Sequence, residues 1–250
     1  MFSTIWHTFI YDPIYNILVG LIDVIPGGDV GLAVIGATIV VKLILFPLSL
    51  SAVRTQMILR KVQPKIKEIQ EKIKDREEKA RKLLALYKEY GINPFASLLV
   101  FILQIPVVIT LYLVFVREPF PTINVDLLYA FIPVPEQVSM MFLNVINMET
   151  RSIILAALAG ITQFFQVRYA LPPLPEKKEG ASASMKDDLM RSMHVQMKYV
   201  LPIVMAGVAY FISAVVALYF VTSNLFAIGQ ELYMRKTVKK KFSDEDTTVD

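Results

Sequence analysis

The 250-residue sequence has no cysteine, which excludes disulfides, thiolate metal sites, cysteine nucleophiles and a lipid-modified N-terminal cysteine. Histidine is nearly absent. His7 and His194 are the only two, and neither has a second histidine or a suitably spaced carboxylate nearby, which argues against a catalytic metal site. There is no Gly-rich phosphate loop of the Walker type, so nothing marks a nucleotide site and the expected function runs without ATP hydrolysis. No enzymatic activity and no cofactor are therefore expected. No Lys or Arg precedes Lys42, so residues 1–30 lack the basic n-region of an ordinary signal peptide. Later basic clusters lack the aromatic or groove-reading partners that a nucleic-acid surface needs, and no direct nucleic-acid partner is expected.

What is abundant is apolar surface. The chain is 55% hydrophobic with a mean hydropathy of +0.52, well above a soluble mix, and reads as an integral membrane protein. The net charge of +4 matters less than its distribution. Twelve of the 26 Lys and Arg lie between Arg54 and Lys88, five between Lys177 and Lys198, and five between Arg235 and Lys241. Only Arg117 and Arg151 flank the segment between the second and third apolar runs. By the positive-inside rule the N-terminus is expected outside, the three basic segments in the cytoplasm and the C-terminus inside.

Periodicity divides the chain accordingly. In residues 1–30, Ile14, Ile17, Leu18, Leu21, Ile22 and Ile25 recur at helical spacing, with Asn16 and Asp23 on the other side. This predicts an external amphipathic helix on the outer leaflet, opened by Asp12-Pro13 and ended by Pro26-Gly27-Gly28-Asp29. Residues 31–53 form a first span. Residues 54–91 change character: Val62, Ile66, Ile69 and Ile73 make one apolar stripe and Leu83, Leu84 and Tyr87 another, among charges of both signs. An antiparallel cytoplasmic hairpin with its turn at Lys74–Glu78 is expected. A second span covers 92–116, an external loop 117–151, a third span 152–168 and a polar cytoplasmic loop 169–198, whose middle is expected to be mobile. The uncharged stretch 199–230 would be about 48 Å long as one helix, against a hydrocarbon core of about 30 Å. With basic flanks on both sides the chain must cross an even number of times, so two spans are expected, 199–212 and 213–232. A tail, basic and then acidic, fills 233–250. The fold class is all-α and polytopic, with five spans.

Lys42 stands alone inside the first apolar run. A lysine at the centre of a spanning helix costs roughly 2.5–3.5 kcal/mol on insertion scales. Two readings offset that cost: a hydrated or polar cavity within the bundle, or snorkelling of the ammonium to the headgroups. Residue patterns alone leave both open.

Three blocks carry a resemblance to a known family. They are TIVVKLILFPL at Thr38–Leu48, followed by Gln63-Pro64-Lys65-Ile66; LYKEYGINPFASLLVFILQIPVVITLY at Leu86–Tyr112; and Met197–Gln230, above all Met197-Lys198-Tyr199, Leu201-Pro202 and Leu218–Leu225. In this order and hydropathy the chain resembles the YidC/Oxa/Alb membrane protein insertases over nearly everything from residue 31 onward. Two departures stand out. The family typically has arginine where this chain has Lys42, and a Phe-Pro-Ala-Gly turn where it has Ile212-Ser213-Ala214-Val215. No stretch here matches the large external domain of some bacterial members.

The resemblance implies a hydrophilic groove among the five helices, open to cytoplasm and lipid. It also implies a role in moving hydrophobic segments and short polar tails of nascent proteins into the bilayer of a bacterial cytoplasmic membrane. Lys42 would supply the charge, and Gln104, Gln163, Gln166, Ser223 and Asn224 are candidates for the polar lining. For each of these the competing role is interhelical hydrogen bonding. Implied partners are nascent membrane proteins and the lipid bilayer, with a ribosome and a Sec-type translocon as further candidates. The rival readings are a small solute or anion transporter using Lys42, for which no repeat is visible, and a membrane-anchored docking scaffold.

Overall fold

A computed structural model describes residues 4, 6–73, 75–93, 95–118, 120–171 and 191–246. The chain forms two compact units, Met1–Ile44 with Gln104–Ile228, and Leu45–Leu103 with Gly229–Asp250. Its helices are α1 (Asp12–Val24), α2 (Val30–Ile44), α3 (Phe46–Lys72), α4 (Arg76–Glu89), α5 (Phe95–Arg117), α6 (Ile153–Ala170), α7 (Arg191–Ile212) and α8 (Ala214–Asp246). Two short strands, β1 (Met141–Phe142) and β2 (Ile146–Asn147), pair antiparallel between α5 and α6.

Among the described residues three helices are long and apolar enough to cross a membrane: Ile153–Ala170, Arg191–Ile212 and Ala214–Thr237. The α2–α3 pair makes a fourth if its two parts are one span. The all-α polytopic fold is therefore as expected.

In the first unit, α1 packs on α2 around fully buried Tyr15, Leu18, Val19, Val30, Ala33 and Val34. Asn16, expected on the polar side, is buried as well. Its Nδ2 donates to Asp12 O and Leu127 O, both at 2.8 Å, and its Oδ1 accepts from Tyr129 N at 2.7 Å. The reason is that the loop after α5 folds onto α1, and its backbone groups need partners once water is gone. Tyr11 joins this contact by donating to Glu118 at 3.1 Å. Burial first, and then the Glu118 charge, raises the Tyr11 phenol above its ordinary pKa, so it remains a donor.

In the same unit, α6 packs closely on α7. A Cβ at Gly160 would stand 2.9 Å from Ala206 Cβ and 3.2 Å from Pro202 O, so only glycine permits this approach. Helix α7 begins by Arg191, inside the segment expected as loop 169–198, and the middle of that loop lies outside the described residues. A π-helical turn, Gln196–Val200, directly precedes Leu201-Pro202. Such a widened turn accommodates a proline that has no N–H and crowds the preceding turn.

Between α7 and α8 the chain breaks at Ser213, within the expected junction. Neither Pro nor Gly is needed there. Ser213 is extended (φ −171°, ψ 165°), its hydroxyl accepts from Val216 N at 3.4 Å, and Ala214 N donates to Thr150 O at 2.9 Å. It acts as an N-cap. Helix α8 then runs through Asp246 without a boundary at 232, so the expected separate tail is helical as far as it is described.

The second unit contains the hairpin of α3 and α4. Helix α4 begins within the expected turn, since Asp75 caps it by accepting from Glu77 N at 2.7 Å. Ile58, Val62 and Ile92 are buried together, flanked by Leu59, Ile66, Tyr87 and Tyr90. On α4 the buried position is Leu86, whereas Leu84 is 66% exposed. The inward stripe therefore follows Leu83, Leu86/Tyr87 and Tyr90 at i, i+3/i+4, i+7. Gly91 (φ +61°) ends α4, with Ile92 N bonded to Tyr87 O at 2.8 Å and Gly91 N to Lys88 O at 3.3 Å. This is a Schellman closure with its apolar Ile92–Tyr87 contact.

Candidate functional site

The helix carrying Lys42 ends two residues later, because Leu45 leads into Phe46-Pro47 and proline opens the next helix. The first span expected as one helix over 31–53 is thus broken, and Lys42 lies in the last turn of α2. A cation there faces the partial negative charge of the free carbonyls, an interaction worth roughly 0.3–1 kcal/mol. Its ammonium also donates to Gln104 Oε1 at 2.9 Å, across 62 positions of sequence. Lys42 and Gln104 are both half-buried. The acceptor is the neutral amide of Gln104, so this contact brings no negative charge to the lysine.

The remaining candidates fall in the same unit but in different surroundings. Gln163 and Gln166, both half-buried, bond to each other along α6 at 3.2 Å. Asn224 is buried on α8 and donates to Thr162 Oγ1 at 3.2 Å and to Ala159 O at 3.4 Å on α6. Ser223 beside it is also buried. Asn224 therefore ties two helices together, and Thr162, which turns its hydroxyl onto Leu158 O at 2.8 Å, is a member of that contact not singled out from sequence.

A second polar cluster was missed altogether. In the second unit, Glu231 Oε1 accepts from Arg235 Nε at 3.1 Å and lies 3.3 Å from Arg60 Nη1. The Glu231 side chain is 5% exposed and that of Arg60 17%. One residue away, Gln230 donates to Ser49 Oγ at 2.7 Å. These contacts join α3, at its first turn and near its middle, to α8. A signal did exist in the sequence, because Glu231 is the only acid between Asp188 and Asp244.

A family profile described as the 60Kd inner membrane protein matches residues 22–241. A membrane protein insertase YidC of Clostridium tetani is 30% identical over 246 residues, covering 98% of this chain and 95% of that protein. One from Oceanobacillus iheyensis is 26% identical over 95% of this chain and 86% of its own length. One from Cellvibrio japonicus is 29% identical over 85% of this chain but only 34% of its own length.

Proposed function

The chain belongs to the 60Kd inner membrane protein family of YidC-type insertases, and from that premise we propose how it inserts other proteins into a bacterial membrane. Nascent membrane proteins and lipid are the partners such a role requires. The polar part of a nascent segment pays a large penalty in bare hydrocarbon. A hydrophilic groove beside lipid lowers that barrier, and the apolar part leaves sideways into the bilayer. Lys42 gives the groove a positive charge, Gln104 orients it, and Gln163, Gln166, Ser223 and Asn224 contribute polar lining. The energy comes from burying apolar substrate surface and, for acidic tails, from the membrane potential, roughly 2.3 kcal/mol per charge per 100 mV. ATP is not consumed. Five spans place the N-terminus outside and the C-terminus in the cytoplasm, where the α3–α4 hairpin meets ribosomes, substrates or lipid headgroups; a Sec-type translocon is a further candidate partner.

The observation that supports this reading is the 2.9 Å hydrogen bond from Lys42 to the neutral amide of Gln104, a contact that leaves the cation without a carboxylate there and suits it to attract an acidic tail. The test is insertion into liposomes containing the purified protein. Lys42→Arg should preserve insertion, Lys42→Ala should weaken it most for substrates with Asp or Glu in their tails, and Lys42→Glu should be worst. Gln104→Leu should shift activity in the same direction as Lys42→Ala, by less. Equal insertion of acidic-tailed substrates by parent and Lys42→Ala would end the charge mechanism, and solute flux without insertion would favour transport instead.

A further inference from the structure

The loop after α5 ends in an apolar tip for which the insertion mechanism has no use. Residues 137–148 carry no charged side chain. Within them β1 and β2 are joined by Leu143, Asn144 and Val145; Leu143 and Asn144 are both at positive φ (49° and 57°), and Val145 N closes the turn on Phe142 O at 2.9 Å. Such turns favour Asn-Gly, and a bulky residue in the left-handed region is strained. Leu143 is nevertheless there and 59% exposed, with Val145 next to it 76% exposed. In water this tip would combine backbone strain with bare apolar surface and gain nothing from either.

Its position explains it. Asp29 caps α2 by accepting from Leu32 N at 3.0 Å through one carboxylate oxygen, and its other oxygen accepts from Leu143 N at 2.7 Å. Backbone bonds Ser139 N to Gly28 O (2.8 Å) and Val30 N to Ser139 O (3.0 Å) clamp the same place. Gly28, at φ +61°, passes so close to the Gln137 carbonyl that a Cβ would collide with it, and a Cβ at Gly31 would overlap the Phe142 ring. The tip is therefore fixed to the first turn of α2. If α2 enters the bilayer there, the tip lies at the boundary between headgroups and acyl chains. Its lack of charge removes the main penalty for entering that layer.

We propose that Leu143 and Val145 anchor the loop in the outer leaflet, dipping into the lipid interface and holding the loop at fixed depth beside the entry of α2. This rests on the topology given above, with the start of α2 on the outer side. Because the chain has no cysteine, Val145→Cys can carry a single environment-sensitive fluorophore, with exposed Glu136→Cys as the reference. The protein is reconstituted without substrate in vesicles of phosphatidylethanolamine and phosphatidylglycerol, some lipids bearing a quencher just below the headgroup. The label at 145 should be quenched by those lipids about threefold more than the label at 136, and by aqueous iodide about threefold less. Leu143→Asn, which suits the positive φ, should fold at least as well and reduce the lipid quenching. Equal iodide quenching at both positions would overturn the anchor, as would protection that depends on protein density (a second copy) or appears only during insertion (the substrate). Depth is read without substrate. An active insertase with a wet tip would refute the anchor alone, while an inactive protein with a lipid-buried tip would refute only the insertion mechanism.

Discussion

Replacing Glu231 by alanine would leave the guanidiniums of Arg60 and Arg235 facing each other across the space the carboxylate filled. Both approach the same oxygen, at 3.3 and 3.1 Å. At an effective dielectric near 20, a unit pair at such a distance attracts by about 5 kcal/mol before desolvation is counted. Removing one partner of a buried pair costs about 3–5 kcal/mol, because the charge left behind loses its nearest counter-charge. Arg60 keeps some water contact, so the lower end, about 3 kcal/mol, is expected for Glu231→Ala. Arg60→Ala should cost less, because Glu231 keeps Arg235, and Glu231→Gln should fall between, since it retains an acceptor. The Arg60→Met, Glu231→Leu double variant should recover much of the loss by replacing the pair with apolar contact. High salt should leave the ranking unchanged, since screening acts weakly on buried charges. Thermal unfolding in lipid nanodiscs, followed by labelling of a cysteine introduced at Ile58, would measure the set. If Glu231→Ala were no less stable than Arg60→Ala, the shared carboxylate would not be the centre of this contact and the reasoning would fail.

Asn224→Ala should lower thermal stability by about 0.6–1.7 kcal/mol, the range of interhelical hydrogen bonds in membranes. Combined with Thr162→Val it should cost less than the sum of the two, which a double-mutant cycle would read. Deleting Lys67–Leu86 and bridging Ile66 to Tyr87 with a short Gly-Ser linker should impair insertion in cells while sparing the unfolding temperature. Because Arg60 binds Glu231, a deletion that includes Arg60 should also destabilise the protein, so the two deletions separate docking from folding. Single cysteines at Ser3, Ser139 and Ser184 should show external labelling of the first two and none of the third. Labelling of Ser184 from outside would reverse the topology.

Several features of this chain were legible from local pattern because their causes are local. Apolar run lengths, an N-terminal region without Lys or Arg and the basic clusters identify a polytopic helical membrane protein. The order of three sequence blocks identifies its family, and the length of the uncharged 199–230 stretch demands a break near Ser213. Periodicity also found the hairpin. It put Leu84 in the stripe and left out Leu86; the two stand about 200° apart around a helix, and only the partner surface decides which one turns inward. Other features depend on residues far apart in sequence. Asn16 is buried because a loop more than a hundred positions later needs its amide, Lys42 finds Gln104 62 positions away, and Glu231 meets Arg60 on another helix. A polar residue in an apolar run shows that some partner is needed. Which partner it meets depends on how the helices pack, and only the tertiary structure determines that.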